Sequence, residues 1–356
     1  MTAVSICITN YNYGRFVDQA IESCLQQTHP DVEIIVVDDG STDDSLATIK
    51  PFADRVTVIE QANAGQAIAM RRAFEAAHGE LIIFLDADDL LDPTTLSRAA
   101  ASYERMPDLG RVQWRMRVIG PAGEQTTNTF PGIEWKMPEG DLRDRVLKRR
   151  NYIWAPTSAN AFTRRSLEVS FPAIPEELKI LDVVLAETSP MVGRVVNLDG
   201  TGGSYRWHGG NWSNRRTRED MGPFFRERID DIVVGHESLR RVCDVLGVPG
   251  CPADPATALD WAFAGYRLSS LRVDKVNHPL PKDRSLAVAV HGIHSVLTQP
   301  DYSVKARAKR AVWFATVAVA PPSTARKLIA RAFLSLAKAP SLVSTPGTDP
   351  EQLTPT

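Results

Sequence analysis

Residues 34–43 read IIVVDDGSTD, an apolar and β-branched run that passes directly into two aspartates, a glycine and two hydroxyl residues. Continuous apolar runs are typical of strands that are buried on both faces of a parallel sheet. Serine, threonine and aspartate are the residues that cap the N-terminus of a helix. The stretch therefore predicts a strand at Val32–Val37 and a helix that begins after Ser41 and continues to Lys50.

The same succession of strand and helix occurs on both sides of this stretch. Further apolar runs predict strands at Val4–Thr9, Val56–Glu60 and Leu81–Leu85. Between them, apolar residues recur at helical spacing in residues 16–25 and 67–77, and Pro93 opens another helix. Repeated β-α units of this length predict an α/β fold whose sheet carries helices on both faces.

The remainder of the chain divides by its pattern into two further segments. Strand-like pieces continue at Val112–Ile119, Arg194–Leu198 and Gly203–Trp207, and from about Met221 the spacing of apolar residues becomes helical. The last residues are rich in proline, serine and threonine. We therefore expect an α/β domain at residues 1–215, a helical region with a basic amphipathic end at 216–338, and a disordered tail at 339–356.

The net charge of −2 conceals an asymmetry along the chain. Residues 302–348 contain eight basic residues and no acidic one, so the rest of the chain is acidic. An acidic body argues against general nucleic-acid binding, and we expect no nucleic-acid partner. The sequence has no leader pattern and no run of about 18 apolar residues, which favours a cytoplasmic protein without a spanning helix.

The basic end has the pattern of an amphipathic helix. One stripe is apolar, and it consists of Ile329, Ala332, Phe333 and Leu336. Positive charge beside it comes from Arg326, Lys327, Arg331 and Lys338. Such a helix can lie in an anionic membrane surface, which would make residues 303–338 a peripheral contact at the inner face of the membrane. The alternative is that the helix packs on the acidic body of the protein.

Polar side chains follow each of the first four predicted strands, where ligands bind in open α/β sheets. These strand ends read Thr9-Asn10-Tyr11-Asn12, Asp38-Asp39-Gly40-Ser41, Asn63-Ala64-Gly65 and Asp86-Ala87-Asp88-Asp89. The glycine-rich phosphate motifs GxGxxG and GxxxxGK[ST] are absent from this region of the sequence. Carboxylates repel a diphosphate but can hold it through a hard divalent cation, so the pattern predicts a nucleotide bound through Mg²⁺ or Mn²⁺. Taken singly, each acidic stretch could also be a turn with a helix cap.

Four blocks of the sequence together resemble the successive signature blocks of the family-2 glycosyltransferases. They are residues 4–12 (VSICITNYN), 34–43 (IIVVDDGSTD), 63–80 (NAGQAIAMRRAFEAAHGE) and 82–89 (IIFLDADD). The resemblance covers about residues 1–215 and implies the GT-A fold, a Rossmann-like mixed sheet with helices on both faces, here followed by a helical C-terminal region. It also implies inverting, metal-dependent transfer of a sugar from a nucleoside-diphosphate donor to a saccharide or lipid-linked acceptor, in polysaccharide or glycolipid assembly.

The resemblance implies roles for particular residues at the strand ends. It places the nucleotide against Thr9, Tyr11, Asn12, Asp39, Asn63 and Asp86. Tyr11 would stack on the base, and Asp39 would accept a hydrogen bond from it. Asp86 would reach the ribose and the metal, with Asp88 as the metal ligand and Asp89 as a support for the loop. His208 would be a second metal ligand or a contact to the phosphates, or else a structural hydrogen-bonding residue.

Asp182 precedes VVLAETSPMVGRVVNLDGTGGSYRWHGGNWS, which is similar to the family's E-D…R-V-x-x-L-D…Y-R-x-H-x-x-N-x-S region. This register implies that Asp182 is the catalytic base, whereas a helix N-cap is the alternative role. Two departures stand out: Leu181 replaces the glutamate of the E-D pair, and residues 70–73 lack the Arg-Asn-x-Gly of the third block, where Arg71 or Arg72 could supply the missing charge. They leave open a non-catalytic nucleotide-sugar-binding protein of the same fold.

Overall fold

The computed structural model describes residues 1–150, 152–176, 178, 181–208 and 221–333. These residues contain nine strands: β1 Val4–Asn10, β2 Val32–Asp38, β3 Thr57–Glu60, β4 Leu81–Asp86, β5 Leu90–Leu91, β6 Leu109–Ile119, β7 Gln125–Phe130, β8 Asn160–Thr163 and β9 Arg194–Arg206. They also contain the helices α1 Val17–Leu25, α2 Ser45–Ile49, α3 Gln66–Ala76, α4 Thr95–Arg105, α5 Arg143–Arg149, α6 Arg164–Ser170, α7 Leu181–Val192, α8 Met221–Leu246, α9 Trp261–Val273, α10 Ser285–Leu297, α11 Val304–Val319 and α12 Pro322–Phe333.

The strands form one mixed sheet in the order β3-β2-β1-β4-β8-β6-β9-β5, with β7 paired to β6. The four strands predicted from the apolar runs are present, and they pair in parallel. The short strand β8 lies between β4 and β6 and is antiparallel to both. The fold is therefore an α/β fold with a mixed sheet, as predicted.

The central strands divide their side chains between two cores, because successive residues of a strand point to opposite faces. On β4, Ile83 and Leu85 join the core that packs against α1 and α4. Ile82 and Phe84 join the opposite core, which packs against α3, α6 and α7. Helices therefore cover both faces of this part of the sheet.

The two strand-like pieces predicted at residues 194–198 and 203–207 are parts of one strand, β9. It runs parallel to β6, with shifts of register at Gln113/Arg115 and Arg115/Met116. These irregularities accommodate the Asp199-Gly200 segment, which lies between the two predicted pieces. β9 thereby carries the chain from the end of α7 to the carboxyl edge of the sheet.

A separate core joins helices α8 to α12. Ile329 of α12 is fully buried in it, and the ring of Phe333 lies 5.2 Å from the ring of Phe225. The described part of the apolar stripe, with Ile329 and Phe333, thus packs within the helical region. Of the predicted stripe and its charges, Leu336 and Lys338 lie outside the described residues, as does the predicted tail at 339–356.

Helix α11 presents a different face to solvent. Its exposed residues include Val304, Lys305, Lys309, Val312 and Val319. Within the described part of the chain, no helix combines the length and the apolarity needed to cross a bilayer.

Candidate active site

The carboxyl ends of the parallel strands lie side by side, because the strand register aligns them. Asn10 pairs with Asp38 of β2, and Thr9 pairs with Asp86 of β4. The strand-end residues singled out from the sequence therefore share one edge of the sheet.

The loops after β1 and β2 are tied together by side-chain hydrogen bonds. Asn10 Nδ2 donates to Asp38 Oδ1 at 2.7 Å. Asn12, whose φ is 58°, accepts the backbone N–H of Thr42 at 2.7 Å through its Oδ1. The side-chain oxygen of Asn12 therefore organises the loop after β2. Tyr11 remains 45% exposed, so its ring is available for stacking.

Asp39 holds the loop that carries Asn63. Its Oδ1 accepts hydrogen bonds from Gln61 Nε2 at 2.7 Å and from the backbone N–H of Ala64 at 2.8 Å. Its Oδ2 accepts the backbone N–H of Gly65 at 2.8 Å. A carboxylate has about four lone-pair sites. The three contacts therefore leave capacity for the predicted bond from a base, in addition to the loop-holding role that the sequence did not indicate.

Gly40 lets the loop after β2 approach the loop after β3. Its φ is +73°, and a Cβ at this position would lie 2.6 Å from the backbone nitrogen of Asn63. Asn63 itself is exposed at the rim of the site. A side chain at residue 40 would force the two loops apart.

Three carboxylates form a tight cluster after β4. Asp86, Asp88 and Asp89 each offer an oxygen, and these oxygens lie within 4.8 Å of one another. Burial, followed by the charges of Asp88 and Asp182, raises the pKa of Asp86 to about 8. Burial, followed by the charges of Asp88 and Asp86, also raises the pKa of Asp89 well above its usual range. In this buried cluster, neighbouring negative charges therefore oppose the ionisation of Asp86 and Asp89.

His208 closes one side of the cluster. Its Nε2 lies 2.9 Å from Asp88 Oδ2, and the imidazole is nearly fully buried. The rings of Tyr13 and Phe16 lie 5.7 Å and 5.2 Å from the imidazole. Asp88 and His208, predicted as metal-binding residues, are therefore brought together.

Arg206 holds the backbone of the acidic loop in place. Its Nε donates to the carbonyl of Asp88 at 2.9 Å, and its backbone N–H donates to Asp89 Oδ1 at 3.0 Å. The guanidinium lies over the Phe16 ring, 4.8 Å from the ring centroid. Asp89 is therefore tied to β9 through its Oδ1.

Asp182 comes from a distant part of the chain and acts electrostatically on Asp86. It is the second residue of α7, in the first helical turn. Its charge helps to raise the pKa of Asp86, which places the two carboxyl groups within electrostatic reach of each other. Burial raises the pKa of Asp182 as well, against hydrogen bonds from the backbone of Val183 and from Thr157 and the charge of Arg228. A carboxyl group with a raised pKa is a stronger base than an ordinary aspartate.

The residues fit a divalent cation. Asp89 Oδ2 is buried and has no hydrogen-bond partner among the described residues. The mutual repulsion of the three carboxylates is the kind of strain that a bound cation relieves. Carboxylate oxygens are the ligands that Mg²⁺ and Mn²⁺ prefer.

Several residues of the site carried no recognisable signal in the sequence. Ser158 Oγ accepts the backbone N–H of Asp86 at 3.0 Å, and Gln66 Nε2 donates to Asp86 Oδ1 at 2.6 Å. Ser158 belongs to a short 3-10 turn that only the sheet topology brings beside β4. Nothing in the local sequence could have identified it.

The arginines of the altered third block bind other parts of the protein. Arg71 donates to the backbone carbonyls of Phe171 and Ile174 at 3.0 and 2.8 Å. Arg72 pairs with Glu75, 3.9 Å away on the exposed face of α3. These contacts therefore do not support the expectation that Arg71 or Arg72 supplies the missing charge.

The family match lies in the sheet-forming part of the chain. Residues 5–169 match the family described as Glycosyl transferase family 2. An uncharacterized glycosyltransferase of Nostoc sp. is 36% identical over 214 residues, which are 58% of this chain and 66% of that protein. The chain thus spans slightly less than two thirds of that relative.

Two solved structures share the architecture over most of the chain. S. aureus TarS in complex with UDP-GlcNAc has a TM-score of 0.55 at 17% identity, over 93% of this chain and 91% of the other. Mannosyltransferase PcManGT from Pyrobaculum calidifontis, in complex with GDP-Man and Mn²⁺, has a TM-score of 0.51 at 17% identity, over 94% of this chain and 85% of the other. At such identity the likeness concerns the fold. Residues 5–169 are thus a family-2 glycosyltransferase segment, and the fold is that of the GT-A glycosyltransferases.

Proposed function

We propose that the protein is an inverting, metal-dependent glycosyltransferase that moves a sugar from a nucleoside-diphosphate donor to an acceptor hydroxyl. The observation that carries this proposal is the cluster of Asp86, Asp88 and Asp89, whose carboxylate oxygens lie within 4.8 Å of one another in a segment that matches family 2. Asp182, in the first turn of α7, is the proposed base.

The proposed mechanism is a single in-line displacement. Asp182 accepts the proton of the acceptor hydroxyl as the oxygen attacks the anomeric carbon, and one displacement inverts the configuration there. Thr9, Tyr11, Asn12, Asp39 and Asn63 form the nucleotide side of the site. Holding both reactants in this geometry lowers the entropic part of the barrier.

Asp88 would hold the divalent cation, together with Asp86 and with His208 beside it. A bound divalent cation would neutralise the negative charge that develops on the diphosphate as it leaves. Gln66, through its bond to Asp86 Oδ1, orients that carboxylate.

The partners follow from the same reasoning. Relatives of this fold were solved with UDP-GlcNAc and with GDP-Man, which supports a uridine or guanosine diphosphate sugar as donor. We assign donor binding and catalysis to residues 1–215, and we propose a saccharide or lipid-linked acceptor in polysaccharide or glycolipid assembly, on the cytoplasmic side of the cell.

Donor hydrolysis tests this proposal. The protein would be incubated with UDP-GlcNAc or GDP-mannose, with and without Mn²⁺, and the released nucleoside diphosphate measured. Mn²⁺-dependent release from one donor is the expected result, and NMR of the anomeric proton of a transferred product then reports inversion. Binding of a donor without any release would favour the non-catalytic alternative.

A second proposal concerns location. We propose that the protein meets an anionic membrane surface through the exposed face of α11, which combines Lys305 and Lys309 with Val304, Val312 and Val319. Helices that lie in a membrane interface combine basic and apolar residues in this way. We assign the membrane contact to this face of α11 and not to the apolar stripe of α12, because Ile329 of that stripe is buried.

A further inference from the structure

Arg15 places an exposed guanidinium at the metal side of the site. Its Nη2 lies 3.4 Å from His208 Nδ1, on the opposite side of the imidazole from Asp88. The guanidinium carbon lies 4.5 Å from the centroid of the Phe16 ring. Stacking on an aromatic face restricts the guanidinium to one plane and reduces the entropy it loses on binding a ligand.

Among the described residues, two other guanidinium groups near the cluster, those of Arg206 and Arg228, form contacts within the protein. Arg206 is buried, and its Nη1 and Nη2 donate to the Pro121 carbonyl at 3.1 Å and to Gln19 Oε1 at 2.8 Å. Arg228, whose charge reaches Asp182, is buried and forms an ion pair with Asp231 at 2.8 Å. Arg15, by contrast, is exposed at the entrance.

The diphosphate that leaves from the donor needs positive charge in addition to the divalent cation. A nucleoside diphosphate carries more negative charge than one divalent cation neutralises, and the third-block arginines are bound elsewhere. A guanidinium has five N–H donors and pairs with phosphate in a two-pronged geometry. The contact with His208 uses at most one of these donors.

We propose that Arg15 binds the diphosphate of the nucleotide donor and stabilises it as the leaving group. The phosphates would lie between the Arg15 guanidinium and the cation site at Asp88. Arg15 thereby supplies from the loop after β1 the charge that the altered third block does not supply. This inference rests on the proposed function, since it assumes a nucleotide donor.

Titration calorimetry with base-matched probes tests the assignment. UDP and uridine, or GDP and guanosine, would be titrated with Mn²⁺ into the wild-type protein, Arg15→Ala and Arg15→Lys. Arg55→Ala is the matched control, because Arg55 is also exposed and stacks on a phenylalanine, Phe52, but precedes β3 at the opposite edge of the sheet.

We expect Arg15→Ala to weaken binding of the diphosphate about ten- to a hundred-fold, as for loss of a hydrogen bond between charged groups. Nucleoside binding should be unchanged, Arg15→Lys should be intermediate because lysine lacks the planar fork, and Arg55→Ala should match the wild type.

Equal diphosphate binding by Arg15→Ala and Arg55→Ala would overturn the assignment while leaving the proposed function intact. Parallel loss of nucleoside and diphosphate binding in Arg15→Ala would also overturn it, because the role of Arg15 would then be to support the fold around His208. A wild-type protein that binds neither UDP nor GDP with Mn²⁺ would refute the proposed function itself.

Discussion

His208 Nε2 lies 2.9 Å from Asp88 Oδ2, although 120 positions of the chain separate the two residues. The contact is built by strand pairing. Leu90 and Leu91, which follow the acidic loop, pair with Ser204 and Gly203 of β9. β9 then continues to Arg206. The backbone hydrogen bonds between β5 and β9 therefore place His208 beside the acidic loop, which local sequence does not encode.

Replacement of Asp88 by asparagine tests the cation site. We expect Asp88→Asn to remove the Mn²⁺-dependent rise in melting temperature that UDP or GDP produces, because one charged oxygen ligand is lost. Asp54→Asn, an exposed change of the same charge, is the control and should keep the rise. A full metal-dependent rise in Asp88→Asn would contradict the assignment of Asp88 as a ligand.

Asp182→Asn separates catalysis from helix capping. We expect kcat to fall by about 10²- to 10⁴-fold with donor affinity unchanged, because a positioned base typically contributes that much. Asparagine still accepts the N–H of Val183, so the first turn of α7 should persist. Asp144→Asn makes the same change in the first turn of α5 and should leave kcat intact. Turnover of Asp182→Asn near that of the wild type would refute the catalytic role.

The helical region depends on a buried ion pair. Asp283 accepts hydrogen bonds from Arg267 and from His278, and these outweigh the effect of burial and lower its pKa to about 2. A pKa below the unfolded value means that Asp283 stabilises the fold above the unfolded pKa near 4, and that this contribution is lost as the pH falls toward about 2.

We therefore expect Asp283→Asn to lower the free energy of unfolding by about 3 kcal/mol at neutral pH, since it leaves Arg267 buried without its counter-charge. The difference from the wild type should narrow between about pH 4 and pH 2. Urea unfolding followed by circular dichroism across this range measures it. A difference that is constant with pH would show that the charge of Asp283 is not the cause.

Charge reversal on α11 tests the membrane proposal. We expect the wild-type protein to float with phosphatidylcholine vesicles only when they contain phosphatidylglycerol. Lys305→Glu with Lys309→Glu should weaken this association by at least about 2 kcal/mol, roughly thirty-fold, because each basic residue near an anionic surface contributes about 1 kcal/mol.

The control is the same double reversal at Lys50 and Lys136, which are exposed in the sheet-containing part of the chain. Equal flotation of both double variants would contradict a specific role of α11. A deletion after residue 300 is less suitable, because it would remove Phe314 and Ile329 from the core of the helical region.

The sequence alone predicted the parallel part of the sheet and the acidic strand ends, because these depend on local patterns. The run at residues 34–37 is buried on both faces, and the polar residues that follow it must lie at the carboxyl edge. Asp86 and Asp88 could be singled out for the same reason, as they directly follow a buried strand.

The resemblance had implied roles for Asp182 and His208, but tertiary structure alone decided how distant residues reach the site and which surfaces remain exposed. Asp182, Ser158 and His208 reach the acidic cluster through α7, a 3-10 turn and β9, elements whose packing no local pattern encodes. The basic helix α12 shows the same limit: its periodicity predicts an apolar stripe but not its partner, and in the structure Ile329 is buried against other helices. The spacing of apolar residues predicts that one face of a helix is buried. Which element packs against that face depends on long-range contacts that the whole chain determines.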